Sequence, residues 1–481
     1  MFFPESLKMN NKLPDIKTDF AAWYQEVVYQ AELADQSPVR GCMVIRPYGW
    51  EIWENIKTVL DKRIKETGHQ NAAFPLLIPE SFLKKEAKHV EGFSPELAVV
   101  THAGGNKLEE PLVVRPTSET IIHYMFAQWI RSWRDLPMKI NQWCSVVRWE
   151  MRTRPFLRTT EFFWQEGHTA HETQEEALEE VKMMLDEYVK LAQNYLAIPV
   201  ITGRKSESEK FAGADSTYTL EGIMQDGKAL QMGTSHCISQ TFAKAFNMAF
   251  QDREGKNSYP YLTSWGITTR LIGATVMTHG DEKGLVLPPK IAPFQVVIIP
   301  IILKDKKEEV LRKAQEIKEQ LIKCGVRVHL DNDEHKTPGA KFYQWELKGV
   351  PLRIEIGPRD LQNGQVTLVD RLGILKQALT FDSLCDTVVI SLEKLQHEMF
   401  SRAKLRLNQM LHKKAKLNDF AKELEGNSGA YQTGWCQSSE CEAQLKQYKA
   451  TIRCLLNEKT FEECFYCHKK NIVDIIVAKA Y

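Results

Sequence analysis

The stretch Val147–His171, VRWEMRTRPFLRTTEFFWQEGHTAH, gathers four arginines, two histidines and five aromatic residues around Glu150, Glu161 and Glu166. A plain amphipathic helix or strand needs no such density of fixed charge. Alternation over Ser145–Glu150 reads as one strand and over Glu161–Glu166 as a second, and the connection carries Arg152, Arg154, Pro155 and Arg158. The expectation is a cationic loop between two antiparallel strands. Such a hairpin suits an anionic, planar ligand.

A second group with chemistry lies near the other end. Five of the ten cysteines fall in the last 46 residues, and Cys436/Cys441 and Cys464/Cys467 form C-x4-C and C-x2-C pairs. Four thiolates in two close pairs satisfy a tetrahedral Zn²⁺, and four protein ligands describe a structural site. Free thiols are the bland alternative. Cys454 is the odd one out, and His468 is a substitute ligand. Cys42, Cys144, Cys237, Cys324 and Cys385 are isolated and read as small apolar side chains.

The elements that hold these groups belong to a chain of 481 residues, enough for about three domains, with 43% apolar residues for packed cores. With 63 basic and 62 acidic residues the net charge is +1, so a nucleic acid would be met by a local patch. No apolar run approaches the roughly 18 residues of a membrane span. The N-terminus, MFFPESLKMNNKLPDIK, lacks a signal peptide's continuous apolar core. A soluble, cytoplasmic protein with no membrane contact is expected.

Helical periodicity runs over Asp19–Glu32 and Tyr48–Thr67, with a short strand at Arg40–Pro47 between them. Strands ending in proline follow at Ala73–Pro79 and Val113–Pro116, and Thr117-Ser118-Glu119 then opens a helix. Taken alone, Thr117 reads as a helix cap. Thr173–Leu196 reads as a charged surface helix with Glu175-Glu176 and Glu179-Glu180 on a solvated face. Phe211–Gly222 and Ala229–His236 read as strands, and Trp265–Gly273 as a strand entering a helix with Arg270 at the junction. The proline-rich Leu285–Pro293 reads as a linker. Beyond it, alternation of apolar strands at Gln295–Ile302, Val326–Leu330, Leu352–Ile356 and Val366–Asp370 with helices predicts a small α/β domain. A helix-rich stretch, Leu392–Leu424, leads to the cysteine cluster.

In order along the chain, RGCMVIRPYGWEIWENI, RPTSET, VRWEMRTRPFLRTTEFFWQEGHTAH, QMGTSH and WGITTRLIG resemble the motifs of a class II aminoacyl-tRNA synthetase, specifically a prolyl-tRNA synthetase of the archaeal/eukaryotic type. The resemblance covers nearly the whole chain. It implies an α+β catalytic core over 19–288, an antiparallel sheet flanked by helices, preceded by an N-terminal tail over 1–18. A small α/β anticodon-binding domain over 293–386 and an α+β zinc-binding C-terminal domain over 392–481 follow. The first motif implies a homodimer. The implied reaction activates L-proline with ATP and Mg²⁺ to prolyl-adenylate, then transfers it to tRNA(Pro).

Residue roles follow from the matched motifs. In-line attack of the proline carboxylate on the α-phosphate requires a cation touching both reactants, and the resemblance gives that place to Arg148, with Arg270 as the second catalytic arginine. Arg148, Glu150, Arg158, Thr159, Phe162, Gln231, Thr234, Thr268 and Arg270 are implied at ATP, Phe162 stacking on adenine. Thr117, Glu119, Arg148, Trp164, Glu166, His168, Phe211, Ser235 and His236 are implied at proline. His168 and His236 also read as core histidines. Cys436, Cys441, Cys464 and Cys467 are implied zinc ligands, and Lys336, Lys341, Arg353, Glu355 and Arg359 are anticodon candidates.

Cys237-Ile238-Ser239 and Ser216 depart from the family pattern. The segment between His171 and Gln231 is too short for the bacterial type's editing insertion, so no editing in cis is expected. A threonyl enzyme is the rival within the class, although its pocket would want a catalytic zinc. A catalytically dead tRNA-binding relative should have lost Arg148, Glu150 or Arg270. The family's C-terminal tyrosine, here Tyr481, implies that this terminus approaches the catalytic domain.

Overall fold

The computed structural model describes residues 12–84, 97–302, 304–426 and 429–481, so residues 1–11 of the expected N-terminal tail lie outside the described residues. The first unit runs α1 (Phe20–Gln30), α2 (Pro47–Glu66), β1 (Gln70–Asn71), α3 (Glu119–Trp129), β2 (Met138–Val147), β3 (Glu161–His171), α4 (Gln174–Asn194), β4 (Ile201–Arg204), β5 (Ser216–Ile223), β6 (Ala229–Ser239), β7 (Tyr261–Thr268) and α5 (Arg270–His279). The helices start where the sequence offers caps. Asp19 accepts the Ala22 N–H at 2.9 Å, Pro47 fills the first turn of α2, and Thr173 and Glu176 close a capping box on α4.

A five-stranded mixed sheet forms the middle unit: β8 (Val296–Pro300), β9 (Val328–Leu330), β10 (Leu352–Ile356), β11 (Gln365–Asp370) and β12 (Lys376–Thr380), ordered β9-β8-β10-β11-β12. Its helices are α6 (Lys307–Lys323) and α7 (Pro338–Leu347). Every residue of β8 is buried, as an apolar strand covered on both faces must be. The last unit contains α8 (Leu384–Met410), β13 (Leu411–Lys413), α9 (Leu417–Glu425), β14 (Ala430–Trp435), β15 (Ala450–Leu455) and β16 (Val473–Lys479).

The first and last units share one eleven-stranded sheet, ordered β13-β14-β16-β15-β4-β5-β6-β7-β3-β2-β1 and parallel only at its two outer pairs. The join is the pairing of Leu455 with Arg204. Gly203 permits it, since a Cβ there would stand 2.2 Å from the Leu455 carbonyl oxygen. Helices α1, α2, α4 and α5 contribute to one continuous apolar core with strands β5, β6 and β7, built on Trp23, Ile52, Ile56, Met184, Trp265 and Ile272 among others. Trp265 fits only because Gly167 lies opposite it, where a Cβ would fall 2.0 Å from the indole.

Several sequence readings are corrected. Leu285–Pro293 is no loose linker: Leu285, Val286, Leu287, Ile291 and Ala292 are buried, and the Leu285 and Leu287 amides bond to Leu347 and Gly349. Glu180 is not on a solvated face. It is 3% exposed and lies 2.9 Å from His69 Nε2 and 2.7 Å from Lys139 Nζ as their ion-pair partner, because it shares the sheet-facing side of α4 with Ala177, Val181 and Met184. Cys324 and Cys385, 61 residues apart, are joined in a disulfide between the end of α6 and the start of α8. The strand expected from Ala73 begins only at Leu77, and Phe211–Ala214 is a turn.

Burial lowers the pKa of both His171 and His279 to about 4. Burial works against ionisation of Glu180, but hydrogen bonds and charge from His69 and Lys139 overcome it and hold this pKa below its ordinary value. All three depressed values act in one direction. Their stabilisation is complete above the unfolded histidine value of about 6.5 and is lost as pH falls, because the unfolded chain takes up protons first. The melting temperature should therefore drop steadily from about pH 6.5 to pH 4; a flat profile across that window, followed by calorimetry, would refute the assignment.

Candidate active site

Strand alternation turns Phe162, Trp164, Glu166 and His168 of β3 to the face opposite α4. The register then aligns two rows across the sheet. Ile140, His168, Ser264, His236 and Thr217 form one, and Gln142, Glu166, Gly266, Thr234 and Thr219 form the other. Above them opens a cavity of about 360 Å³. Gly266 leaves its floor open.

One end is built on two carboxylates. Glu166 Oε1 accepts from Gln142 Nε2 at 2.9 Å, from the Ser118 hydroxyl and from the Cys144 thiol at 3.4 Å, while Oε2 meets His168 Nε2 at 3.0 Å. Glu119 accepts from the Thr117 hydroxyl. The Thr117 cap reading is thereby corrected: the N-cap position of α3 is Ser118, and neither hydroxyl caps the helix. Arg115 holds this loop, donating Nε to the Ser145 carbonyl at 2.9 Å and Nη1 to that of Phe74 at 2.7 Å. Burial disfavours a charged His168, but Glu166 and then Glu119 more than offset it and raise its pKa. The Trp164 indole donates to Cys144 Sγ at 3.2 Å, and the Phe211 ring lies 4.7 Å from that of His236. An acidic, aromatic-walled end of this kind suits a small cation with an apolar body.

The other end is cationic. Arg148 donates Nε to the Pro116 carbonyl at 3.0 Å and lies 5.4 and 5.5 Å from the Phe162 and Trp164 rings, at the boundary of the two ends. Arg158 pairs with Glu150 at 3.2 Å. Arg270 donates to the carbonyls of Leu157 and Gln231, each at 3.1 Å. Burial, then Arg148 and Arg158, lower its pKa to about 10, so it remains charged at neutral pH. The middle of the hairpin loop is anchored by Phe156 and Leu157, both buried, and by Tyr24 Oη donating to the Pro155 carbonyl at 2.6 Å, while Met151 is 68% exposed.

All the predicted proline and ATP residues line this cavity except Ser235. That side chain points to the other face of β6, where its hydroxyl donates to the Val181 carbonyl of α4 at 2.9 Å. Sequence reasoning missed Gln142, Ser118, Thr217 and Ser264, and it read Cys144 as an inert apolar residue. A register for β2 against β3 would have revealed Gln142 and Cys144, which lie opposite Glu166 and Trp164. Buried Thr159 Oγ1, His168 Nδ1 and Ser264 Oγ have no hydrogen-bond partner among the described residues. They are the groups a ligand would satisfy.

Away from the cavity, the sulfurs of Cys436, Cys441, Cys464 and Cys467 all lie within 4.8 Å of one another. Tetrahedral zinc with bonds of about 2.3 Å separates its sulfurs by about 3.8 Å, so the four fit such an ion. His468 faces Glu463 instead, and Cys454 is buried beneath β4. Tyr481 reaches the first unit, donating its hydroxyl to Asp226 at 2.7 Å, with Arg154 5.7 Å from its ring. Of the anticodon candidates, Lys341 is corrected: it is 2% exposed and bound to Asp331. Arg353 pairs with Glu355, and Lys336 with Asp333.

Comparison with known proteins agrees along the chain. The tRNA synthetase class II core domain (G, H, P, S and T) matches residues 102–279, an anticodon binding domain 295–390, and the prolyl-tRNA synthetase C-terminal domain 417–481. A proline--tRNA ligase of Acetoanaerobium sticklandii is 52% identical over 472 residues, 98% of each chain. One from Borreliella burgdorferi is 48% identical over 98% of this chain and all of its own. The crystal structure of a Cryptosporidium parvum prolyl-tRNA synthetase, complexed with halofuginone and AMPPNP, superposes with a TM-score of 0.93 at 43% identity, covering 97% of this chain and 99% of that one. By these matches over nearly its whole length, the chain belongs to the prolyl-tRNA synthetases, class II ligases that activate proline with ATP and join it to tRNA.

Proposed function

We propose that the acidic end of the cavity binds proline and the cationic end binds ATP, with Arg148 between them as the group that touches both reactants. The observation that carries this reading is the position of Arg148 against both the Phe162 and Trp164 rings. Thr117, Glu119, Glu166 and His168 meet the imino nitrogen, while Trp164, Phe211 and His236 pack on the ring. Phe162 stacks on adenine. Glu150, Arg158, Thr159, Gln231, Thr234, Thr268 and Arg270 hold the nucleotide, which arrives as its Mg²⁺ complex. That the Cryptosporidium relative was crystallised with AMPPNP supports nucleotide binding by this chain.

Catalysis then needs no side-chain nucleophile. The proline carboxylate attacks the α-phosphorus, the bond to the bridging oxygen breaks, and pyrophosphate leaves. Arg148 and Arg270 stabilise the charge that grows on the phosphoryl oxygens, and their fixed carbonyl contacts spare the reorganisation water would require. A terminal ribose hydroxyl of tRNA(Pro) next attacks the prolyl carbonyl and AMP departs. We read Cys436, Cys441, Cys464 and Cys467 as ligands of a structural Zn²⁺. The same reading takes in domains at 19–288, 293–386 and 392–481, cytoplasmic operation, and a homodimer formed through the first motif, where Val44 is 52% exposed. Arg359 and Lys336 are the anticodon candidates that keep an accessible face.

ATP–pyrophosphate exchange measured across the amino acids should respond to proline. Arg148→Ala should slow that exchange by about 100-fold or more with the fold intact; near-normal exchange would remove Arg148 from the centre. The purified chain should hold about one zinc, and Cys436→Ser should lose it. Retention of the metal by that variant would place the ion elsewhere. Incubation with alanyl-tRNA(Pro) should give no deacylation above the buffer rate, and hydrolysis by the purified chain would overturn the absence of editing in cis.

A further inference from the structure

Glu221, Lys205 and Arg453 form a charge cluster that none of the roles above uses. Glu221 is on β5, Lys205 just beyond β4, and Arg453 on β15 of the C-terminal unit, and all three are buried. Lys205 Nζ lies 2.8 Å from Glu221 Oε1, and Arg453 Nη2 and Nε lie 2.9 and 3.1 Å from Oε2. Thr219 donates to Oε1 at 2.9 Å. Two cations on one carboxylate leave the cluster with a net positive charge. As a stabilising device alone it would be a poor one, since a buried bridge often fares no better than apolar packing.

Its position is informative. Glu221 stands opposite Gln231 in the β5–β6 register, and the Gln231 carbonyl accepts the Arg270 guanidinium at 3.1 Å. The carboxylate is therefore held one strand away from the carbonyl that orients Arg270, and Arg453 occupies the oxygen Lys205 leaves open. Both groups act on Arg270 electrostatically, Glu221 favouring its charged form and Arg453 opposing it, after burial, Arg148 and Arg158.

We propose that Arg453 is a positioning residue for the nucleotide: by occupying Glu221, the C-terminal unit keeps Arg270 directed at the ATP phosphates. The inference rests on the assignment of Gln231 and Arg270 to ATP. It makes docking of the C-terminal unit a condition of tight nucleotide binding, and it places the requirement in one ion pair across the β4–β15 join.

The test is ATP–pyrophosphate exchange with the full chain, reading KM for ATP and for proline separately. Arg453→Met should raise KM for ATP about tenfold, the scale of one unscreened charge near the site, and leave that for proline within about twofold. Arg453→Lys should recover most of the loss. The double variant Glu221→Gln/Arg453→Met removes carboxylate and cation together and should return KM for ATP to near the wild-type value. A purely structural role would lower the melting temperature and the active fraction without separating the two KM values. The proposal fails if folded Arg453→Met binds ATP normally. It fails equally if the double variant, in which Lys205 keeps the cluster's net charge at +1 as in the wild type and which can be assayed should the single variant not fold, shows a raised KM for ATP. Arg270→Ala is the control: normal exchange there would sink the nucleotide assignment itself, whereas a defect there beside a normal Arg453→Met sinks only this proposal.

Discussion

Three guanidinium groups, those of Arg148, Arg158 and Arg270, stand around one small cavity, and their mutual repulsion is the constraint around which the surrounding structure is arranged. Arg148 is tied to the Pro116 carbonyl and Arg270 to the Leu157 and Gln231 carbonyls, acceptors fixed in the backbone, while Arg158 pairs with the Glu150 carboxylate. Backbone carbonyls are well chosen for this task. They orient a guanidinium without neutralising it, so its charge stays available to an anion. Strands β2, β3 and β6 and the hairpin loop are needed at fixed spacing for these contacts to coincide.

The acidic end solves the converse problem. A buried carboxylate is tolerable only when its lone pairs are taken, and Glu166 is surrounded by Gln142, Ser118, Cys144 and His168. That network also fixes rotamers and leaves Oε2 with His168 as its one partner among the described residues. Trp164 is held through its indole by the same Cys144, so the ring wall and the charged floor are coupled by one thiol.

Residues carried on the family motifs were largely legible, because strand alternation from Phe162 to His168 already separates cavity side chains from packed ones. Ser235 shows the limit of that reading. It stands between Thr234 and His236 in one motif, and a shift of a single position turns its side chain to the helix layer. Gln142 and Cys144 were invisible for another reason: their importance comes from a cross-strand register that one sequence does not contain. Glu180 could have been found, since it falls at helical spacing with Ala177, Val181 and Met184. Nothing local pointed to Cys324 meeting Cys385, a pairing made by the ends of two helices. The α/β middle unit was visible through its apolar strands, whereas the burial of Leu285–Pro293 was hidden because prolines mark irregular backbone without telling whether it is covered.

The join between β4 and β15 also has a consequence for biosynthesis. Ile201–Arg204 is translated long before Ala450–Leu455, so the nascent catalytic sheet carries an open edge while the middle unit is being made. An open edge can recruit a strand from another chain. Close packing at Gly203 admits only a neighbour that approaches within contact of bare backbone, which narrows the choice of intruder while the cognate strand is still on the ribosome.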